Sequence, residues 1–192
     1  MTSRRLSQAI SEGDGISIIA AVDGPEAARE AEDAGAEALL VHGRDEASLA
    51  AVRASTELPI LFFFHGERTD SPEGADACIV DVRGDDREWL DSVRLELSDR
   101  FELAPRICKD EHLAFVLDEL DPEILVLGSD EEEPLAGALE LLPDVPAGKL
   151  AIADVGARTR EEVVELERAG VDAVIVAAGN IAHLVGAAPP EV

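Results

Sequence analysis

The chain has 192 residues, of which 46% are hydrophobic and 30% are charged, and this composition excludes a disordered chain, a collagen-like repeat and a small disulfide scaffold. Its length predicts a single domain over residues 1–192 with a sizeable core. With 16 Lys+Arg against 42 Asp+Glu the net charge is −26, which repels phosphate backbones and anionic headgroups, so we expect neither nucleic acid nor a membrane as a partner.

Short β-branched runs alternate with Ala-, Glu- and Leu-rich runs from end to end. In chain order the pattern predicts helix 4–12, strand 16–22, helix 26–33, strand 37–42, helix 45–54, strand 58–64, strand 77–82, helix 86–98, strand 103–108, helix 110–120, strand 124–127, helix 134–142, strand 150–155, helix 160–169, strand 171–176 and helix 180–185.

The stretch between the third and fourth strands departs from this alternation. Residues 66–74 contain Gly, Pro, Ser and Asp where a parallel crossover usually has a helix, so we predict a loop there. Eight strands joined by crossovers predict a compact, closed (βα)8 TIM barrel with a short N-terminal helix. The alternative is a doubly wound open sheet, but the first turn lacks the G-x-G-x-x-G of a dinucleotide site, and we expect no cofactor.

The charge also indicates a habitat. Acidic residues are spread along the whole chain, and Lys109 and Lys149 are its only lysines. This pattern is typical of a salt-saturated cytoplasm, where the Debye length falls below about 3 Å and self-repulsion is screened. We infer a halophilic protein, with an acidic mesophilic protein as the alternative. Without a secretion signal or a long apolar run, we expect a cytoplasmic protein whose Cys78 and Cys108 are reduced.

Several segments resemble the indole-3-glycerol phosphate synthase family. They read AEDAGAEALLV, LAAVRASTELPIL, GADACIV and LAIADVGARTREEVVELERAGVDAVIVAAGNI, and the resemblance covers most of residues 16–186. The last segment is of a type shared by several phosphate-binding barrels. The resemblance implies a (βα)8 barrel, a decarboxylating ring closure of a carboxyphenylamino-deoxyribulose phosphate in tryptophan biosynthesis, and phosphate held by the loops after strands seven and eight.

Most of the catalytic residues that the resemblance implies are replaced in this chain. The general-acid lysine at the end of strand three falls on Phe63, and phenylalanine cannot carry a proton. The other catalytic positions hold Ala21 and Asp23 on strand one, Arg106 on strand five, Gly128 on strand six and Asp154 on strand seven. Since loss of a general acid typically removes about 10²–10⁴-fold of rate, we expect no standard synthase activity.

Polar side chains follow the carboxyl ends of the predicted strands, where ligands of such barrels bind. They are Asp23, His42, Arg44, His65, Asp81, Arg83, Arg106, Cys108, Lys109, Ser129, Asp154 and Asn180. As candidate catalytic groups we select Asp154, Arg106, Asp23, His65 and Lys109. An alternative is a metal site of His42 and His65 with Asp23 or Asp81, but no H-x-H or H-E-x-x-H spacing supports it and we expect no metal.

Among these strand-end residues, Arg106 is the candidate with the most specific expected contacts. If strand five alternates regularly, its guanidinium points into the barrel and needs an anionic partner, for which Asp154 and Asp23 are the expected residues. Two roles of Arg106 are consistent with this placement. It either forms an ion pair that fills the ancestral site or recognises an anionic substrate. On strand three the same alternation sends Phe63 inward and Phe62 and Phe64 outward beneath the helices.

Glycines at the ends of the last two strands suggest a phosphate site. Gly156 matches the family's phosphate-loop glycine, and Gly179 with Asn180 opens the last helix, so their backbone N–H groups are candidate phosphate ligands. The alternative is that Gly156 only relieves a tight turn.

Three functions follow from these observations. The first is a divergent barrel that binds a phosphate or another small anion and has lost the synthase reaction. The second is a working carbon–carbon lyase or isomerase on a small phosphorylated substrate, and the third is a non-enzymatic scaffold or interaction protein. An open mouth with Arg106 and Asp154 facing a cavity favours the first two, whereas a mouth filled by Phe63 and Arg106 favours the third. The oligomeric state is not indicated by the sequence.

Overall fold

The computed structural model describes residues 4–42, 46–65, 72–82, 84, 86–130 and 132–184. Eight strands pair in sequence order, all parallel, and β1 pairs with β8 to close the barrel. The strands are β1 Ser17–Val22, β2 Ala38–Val41, β3 Ile60–Phe64, β4 Ala77–Asp81, β5 Glu102–Ile107, β6 Ile124–Gly128, β7 Leu150–Asp154 and β8 Ala173–Ala177. The helices are α1 Arg5–Glu12, α2 Pro25–Asp33, α3 Glu46–Arg53, α4 Arg87–Leu97, α5 Asp110–Glu119, α6 Pro134–Leu141, α7 Arg160–Ala169 and α8 Ile181–Leu184, with short 3-10 helices at Leu142–Asp144 and Ala178–Asn180. The predicted TIM barrel is confirmed.

Two strands begin two residues later than predicted, for local reasons. Gly170 ends α7 in the left-handed conformation with φ of 99°, and the N–H of Val171 still donates to the carbonyl of Leu166, so β8 begins at Ala173 rather than at 171. Likewise the N–H of Leu58 donates to the hydroxyl of Thr56, and β3 begins only at Ile60.

The loop predicted between strands three and four lies partly outside the described residues, which omit 66–71 at this point. The described residues 72–76 contain no helix, and β4 follows β3 in the order of elements. Arg44 and Arg83, two of the predicted strand-end residues, also lie outside the described residues.

The core has two layers. Alternate residues of the strands fill the barrel, among them Ile19, Leu61 and Ile79, while the intervening residues pack outward against the helices. As predicted, Phe63 belongs to the inner layer and Phe62 and Phe64 to the outer one.

Helix α1 closes the amino end of the barrel. Leu6 and Ile10 belong to the inner layer, and the buried carboxylate of Glu102 accepts hydrogen bonds from the N–H groups of Leu6 at 2.9 Å and Ser7 at 3.2 Å. A carboxylate at the start of a helix satisfies N–H groups that have no partner within it. The carboxyl end is therefore the open end. Within the described part of the chain, no helix is long and apolar enough to cross a membrane.

Candidate functional site

An ion-pair cluster lies at the carboxyl end of the barrel. The Nε of Arg106 donates to Asp154 at 2.8 Å, and its Nη1 donates to Asp81 at 3.3 Å and to the sulfur of Cys108 at 3.0 Å. The predicted pairing of Arg106 with Asp154 is confirmed. The second carboxylate is Asp81 and not the predicted Asp23, because β4 and β5 pair with Asp81 directly beside Arg106.

Gly128 makes room for the Arg106 side chain. Arg106 is on β5 and Asp154 on β7, so the guanidinium has to cross β6 to reach its partner. A Cβ atom at Gly128 would lie 2.7 Å from the Nη2 of Arg106 and 2.8 Å from its Cζ, which is closer than real side chains approach. The missing side chain of Gly128 thus permits the ion pair. The sequence pointed to neither this packing nor Asp81 as a partner, although the strand pairing places both beside Arg106.

Burial and charge act together on this cluster. Desolvation lowers the pKa of the Arg106 guanidinium, but the hydrogen bond and the charge of Asp154 outweigh it and raise the pKa overall, so Arg106 is charged. Burial raises the pKa of the Cys108 thiol against the opposing charge of Arg106, so the sulfur is protonated at neutral pH. Two carboxylates around one guanidinium leave the Arg106–Asp154–Asp81 cluster with a net charge of −1.

Three rings stack beside the cluster. The ring of Phe63 lies 5.4 Å from that of His42 and 4.8 Å from that of His65, with interplanar angles of 24° and 28°. For the metal site considered at the two histidines, the described residues contain no group of three or more His, Cys, Asp or Glu that could hold a metal ion. His42, which we did not select as a catalytic candidate, lies beside the acidic cluster.

The His42 imidazole is expected to make stability depend on pH. Desolvation lowers its pKa from the ordinary 6.5, opposed by the charge of Asp154 and assisted by His65. Between this lowered pKa and 6.5 the unfolded chain binds a proton that the folded protein does not, so the free energy of unfolding should increase as the pH rises through this window. His42→Gln should flatten the slope, as measured by urea unfolding at a series of pH values.

The titration of the His42 ring proton by NMR tests the stated causes directly. Asp154→Asn should lower the His42 midpoint further, and His65→Gln should raise it. A midpoint that rises in Asp154→Asn would contradict this assignment of charges.

Two clefts flank the ion-pair cluster. One of about 640 Å³ is lined by residues that include Asp23, His42 and Gly179, and extends between α2 and the end of β8. The other, of about 510 Å³, is lined by residues that include Arg106 and the exposed Lys109. Arg106 and Asp81 line the second cleft and His42 lines the first, whereas Asp154 and Phe63 line neither of these two. Of the predicted catalytic candidates, Asp23 lines the first cleft and Arg106 and Lys109 line the second, so these three do not meet at one point.

The two glycines proposed for phosphate differ in conformation. Gly156 follows β7 with φ of 64°, in the left-handed region that side chains disfavour, which agrees with a tight turn. Gly179 lies in the 3-10 helix Ala178–Asn180, and a Cβ atom there would meet nothing within 4 Å. Asn180 is partly buried beside it. Gly179 thus presents bare main chain to the larger cleft.

Comparisons with known proteins support the fold. No protein-family model matches the chain, and no curated protein matches it in sequence. Thiamine phosphate pyrophosphorylase from Pyrococcus furiosus is similar in structure, with a TM-score of 0.67 and 15% identity over 88% of this chain and 93% of that one. (S)-3-O-geranylgeranylglyceryl phosphate synthase from Thermoplasma acidophilum, solved with its substrate sn-glycerol-1-phosphate, has a TM-score of 0.66 and 16% identity over 93% and 94%. These likenesses establish the barrel that the chain shares with both enzymes.

Proposed function

We propose that this protein binds a small phosphorylated molecule at the carboxyl end of its barrel and does not catalyse the indole-3-glycerol phosphate synthase reaction. The observation that carries the proposal is the bare main chain of Gly179 facing a cleft of about 640 Å³. A phosphate accepts hydrogen bonds from backbone N–H groups, and glycine lets it approach them closely. Both structural neighbours are named for phosphate esters, which agrees with this choice of ligand.

The charge of the mouth favours phosphate at Gly156, Gly179 and Asn180 over phosphate at Arg106. The guanidinium already binds Asp154 and Asp81, and the cluster is net negative. A phosphate there would have to displace a carboxylate from a half-buried ion pair. Main-chain N–H groups carry no such competing partner charge, so the phosphate end is assigned to the glycines and the rest of the molecule to the cleft beside His42 and Asp23.

The loss of synthase activity is inferred from the ring stack. On the family resemblance, Phe63 stands where the general-acid lysine is expected, and in the structure its ring is packed against His42 and His65. None of these three side chains supplies an ammonium group. The two lysines of the chain lie on other elements, because Lys109 follows β5 and Lys149 precedes β7.

A second candidate function, a lyase or isomerase on the same ligand, is favoured by His42. This imidazole lines the larger cleft together with Asp23, and desolvation lowers its pKa so that it is neutral at pH 7. A neutral imidazole accepts a proton, and Asp154 would stabilise the cation formed. His65 stacks on the same Phe63 ring and is a further acid–base group of our selection.

Ligand-induced thermal shifts in molar KCl test the main proposal. Glycerol phosphate or ribose 5-phosphate should raise the melting temperature in a concentration-dependent manner, because binding to the folded state alone stabilises it. Gly179→Asp introduces a negative charge at a position where a Cβ atom would meet nothing within 4 Å, and it should weaken the affinity for the phosphate ester at least about tenfold. Leu95→Asp, which adds the same charge on an exposed position of α4, should bind as the wild type does.

Two results would contradict the proposal. One is the absence of a shift with every phosphate ester, or equal shifts in Gly179→Asp and the wild type. The other is formation of indole-3-glycerol phosphate when the purified protein is incubated with the carboxyphenylamino-deoxyribulose phosphate, which would show that the protein catalyses the synthase reaction.

A further inference from the structure

A groove lies between α6 and α7 on the outside of the barrel, and none of its lining residues lines either cleft of the mouth. It has a volume of about 650 Å³, and its apolar lining includes Leu135 and Leu139 of α6 and Val155 after β7. Leu135 and Leu139 are four residues apart and therefore lie on the same face of α6. All three side chains are only partly buried against the core, so apolar surface in this groove remains in contact with solvent.

Helix α6 carries little charge for an outer helix of this chain. Of its eight residues only Glu140 is charged, whereas 30% of the whole chain is charged. The helix begins with Pro134, and Ala136 is exposed beside the two leucines. Exposed apolar surface that is rimmed by polar residues is typical of a protein–protein contact. The composition of α6 is therefore that of a helix whose outer face is covered by a partner.

Four glutamates surround this apolar surface. Glu133 precedes α6, Glu140 is on α6, and Glu162 and Glu165 are on α7. Among the described residues, none of the four is in an ion pair, and no Lys or Arg lines the groove. The rim is thus negative without a local cation to balance it.

The charge of Glu162 is held in a fixed place on this rim. Its Oε2 accepts hydrogen bonds from the N–H of Arg158 at 2.8 Å and from that of Thr159 at 2.9 Å. These hydrogen bonds lower the pKa of the Glu162 carboxyl, which is therefore ionised at neutral pH. A positive group on a partner thus meets a carboxylate that is already oriented.

We propose that the groove between α6 and α7 binds a short amphipathic segment of another protein, with apolar side chains against Leu135 and Leu139 and with Lys or Arg facing the four glutamates. Lys and Arg suit this rim because their apolar stems cover apolar surface while their charged ends reach the carboxylates. The eight residues of α6 span about 12 Å, so a helical segment would contact the groove over about two turns. This proposal does not depend on the phosphate site at the mouth.

Charge disfavours the other occupants of the groove. A second copy of this chain would bring its own net charge of −26, and a symmetric contact would bring the same four glutamates of both copies together. Nucleic acids and anionic membranes carry the same sign of charge as the rim. A basic and apolar protein segment is the partner that complements both the leucines and the carboxylates.

A pair of synthetic peptides tests the proposal. The first is an amphipathic peptide of Leu, Ala and Lys with its leucines along one side, and the second has Glu in place of every Lys. In molar KCl the Debye length is about 3 Å, so only charges in direct contact contribute to the affinity. By fluorescence anisotropy the Lys peptide should bind the wild type, and the Glu peptide should bind at least about tenfold more weakly.

Matched variants locate the binding. Ala136→Arg places a bulky cation in the groove at an exposed position, and Glu140→Lys reverses one rim charge. Each should weaken the affinity for the Lys peptide at least about tenfold. The controls Ala50→Arg on α3 and Glu96→Lys on α4 make the same changes at exposed positions outside the groove and should bind as the wild type does.

Methyl NMR of leucine-labelled protein gives a second readout that is independent of charge. The methyl signals of Leu135 and Leu139 should shift on addition of the Lys peptide, whereas those of the exposed Leu95 on α4 should not. The absence of binding by the Lys peptide, equal affinities of the two peptides, or equal affinities of Ala136→Arg and Ala50→Arg would overturn the proposal. So would a dimer in sedimentation that Ala136→Arg dissociates, because the occupant would then be a second copy of this chain.

Discussion

Arg106→Ala is expected to lower the free energy of unfolding by about 2–4 kcal/mol, because it leaves Asp154 and Asp81 half-buried without their cation. The side chains of Arg106 and Asp81 are each 16% exposed and that of Asp154 is 28% exposed, so solvent can compensate only in part. Urea unfolding in a fixed concentration of KCl measures the change.

A surface ion pair provides the control for Arg106. Arg94 and Asp91 on α4 form a contact of 2.9 Å in which both side chains are about half exposed, and Arg94→Ala should cost less than about 1 kcal/mol. Adding Asp154→Asn to Arg106→Ala removes one of the two carboxylates left without a cation and should recover part of the lost free energy of unfolding. If Arg106→Ala costs no more than Arg94→Ala, the cluster does not stabilise the fold as described.

The same variant distinguishes the two interpretations of Arg106 that the sequence allowed. If Arg106 is a structural ion-pair residue, Arg106→Ala should retain the affinity for glycerol phosphate within about threefold, less than 1 kcal/mol. If it recognises the anion directly, the affinity should fall far more. The geometry favours the first outcome, since both carboxylates already bind the guanidinium.

Asp76→Ala should destabilise the fold by about 3–4 kcal/mol, because one buried carboxylate joins three parts of the barrel. Its Oδ1 accepts from Arg5 of α1 at 3.2 Å, and its Oδ2 accepts from Arg53 of α3 at 3.1 Å and from the N–H of Ile60 at 3.0 Å. The side chain of Asp76 is only 9% exposed. Alanine leaves the Ile60 N–H without this acceptor and removes the ion pair between Arg5 of α1 and residue 76.

Two further variants, Asp76→Asn and Asp91→Ala, serve as controls for this prediction. The asparagine retains one acceptor oxygen and should cost clearly less than alanine, while Asp91→Ala removes only a surface partner and should cost less than about 1 kcal/mol. Native-state hydrogen exchange gives the second readout, since α1 should lose protection before the strands do. Equal costs for Asp76→Ala and Asp91→Ala would contradict the assigned role.

The fold was predictable because its elements are encoded locally. Strands buried on both faces are nearly continuous apolar runs, such as Ile60–Phe64, and each is separated from the next by helix-forming residues or a loop. Boundaries were less predictable. Val171 is β-branched and was assigned to a strand, but its N–H completes the end of α7, a hydrogen bond that depends on the left-handed turn at Gly170.

The site was predictable only in part. Arg106 and Asp154 were expected to meet because they end strands whose inner faces line one barrel, and they do. Asp81 was named only as a strand-end residue and as an alternative metal ligand. Its pairing with Arg106 depends on the register of β4 against β5, which no local pattern specifies.

The sequence by itself determined the alternation of strands and helices, the closed barrel and the chemical character of the strand ends, because hydrophobic periodicity and chain order suffice for these. Only the tertiary structure decided which charges meet and how the missing side chain of Gly128 makes room for Arg106. Such contacts join residues far apart in the chain, and their distances depend on strand register and side-chain packing, which are properties of the whole barrel.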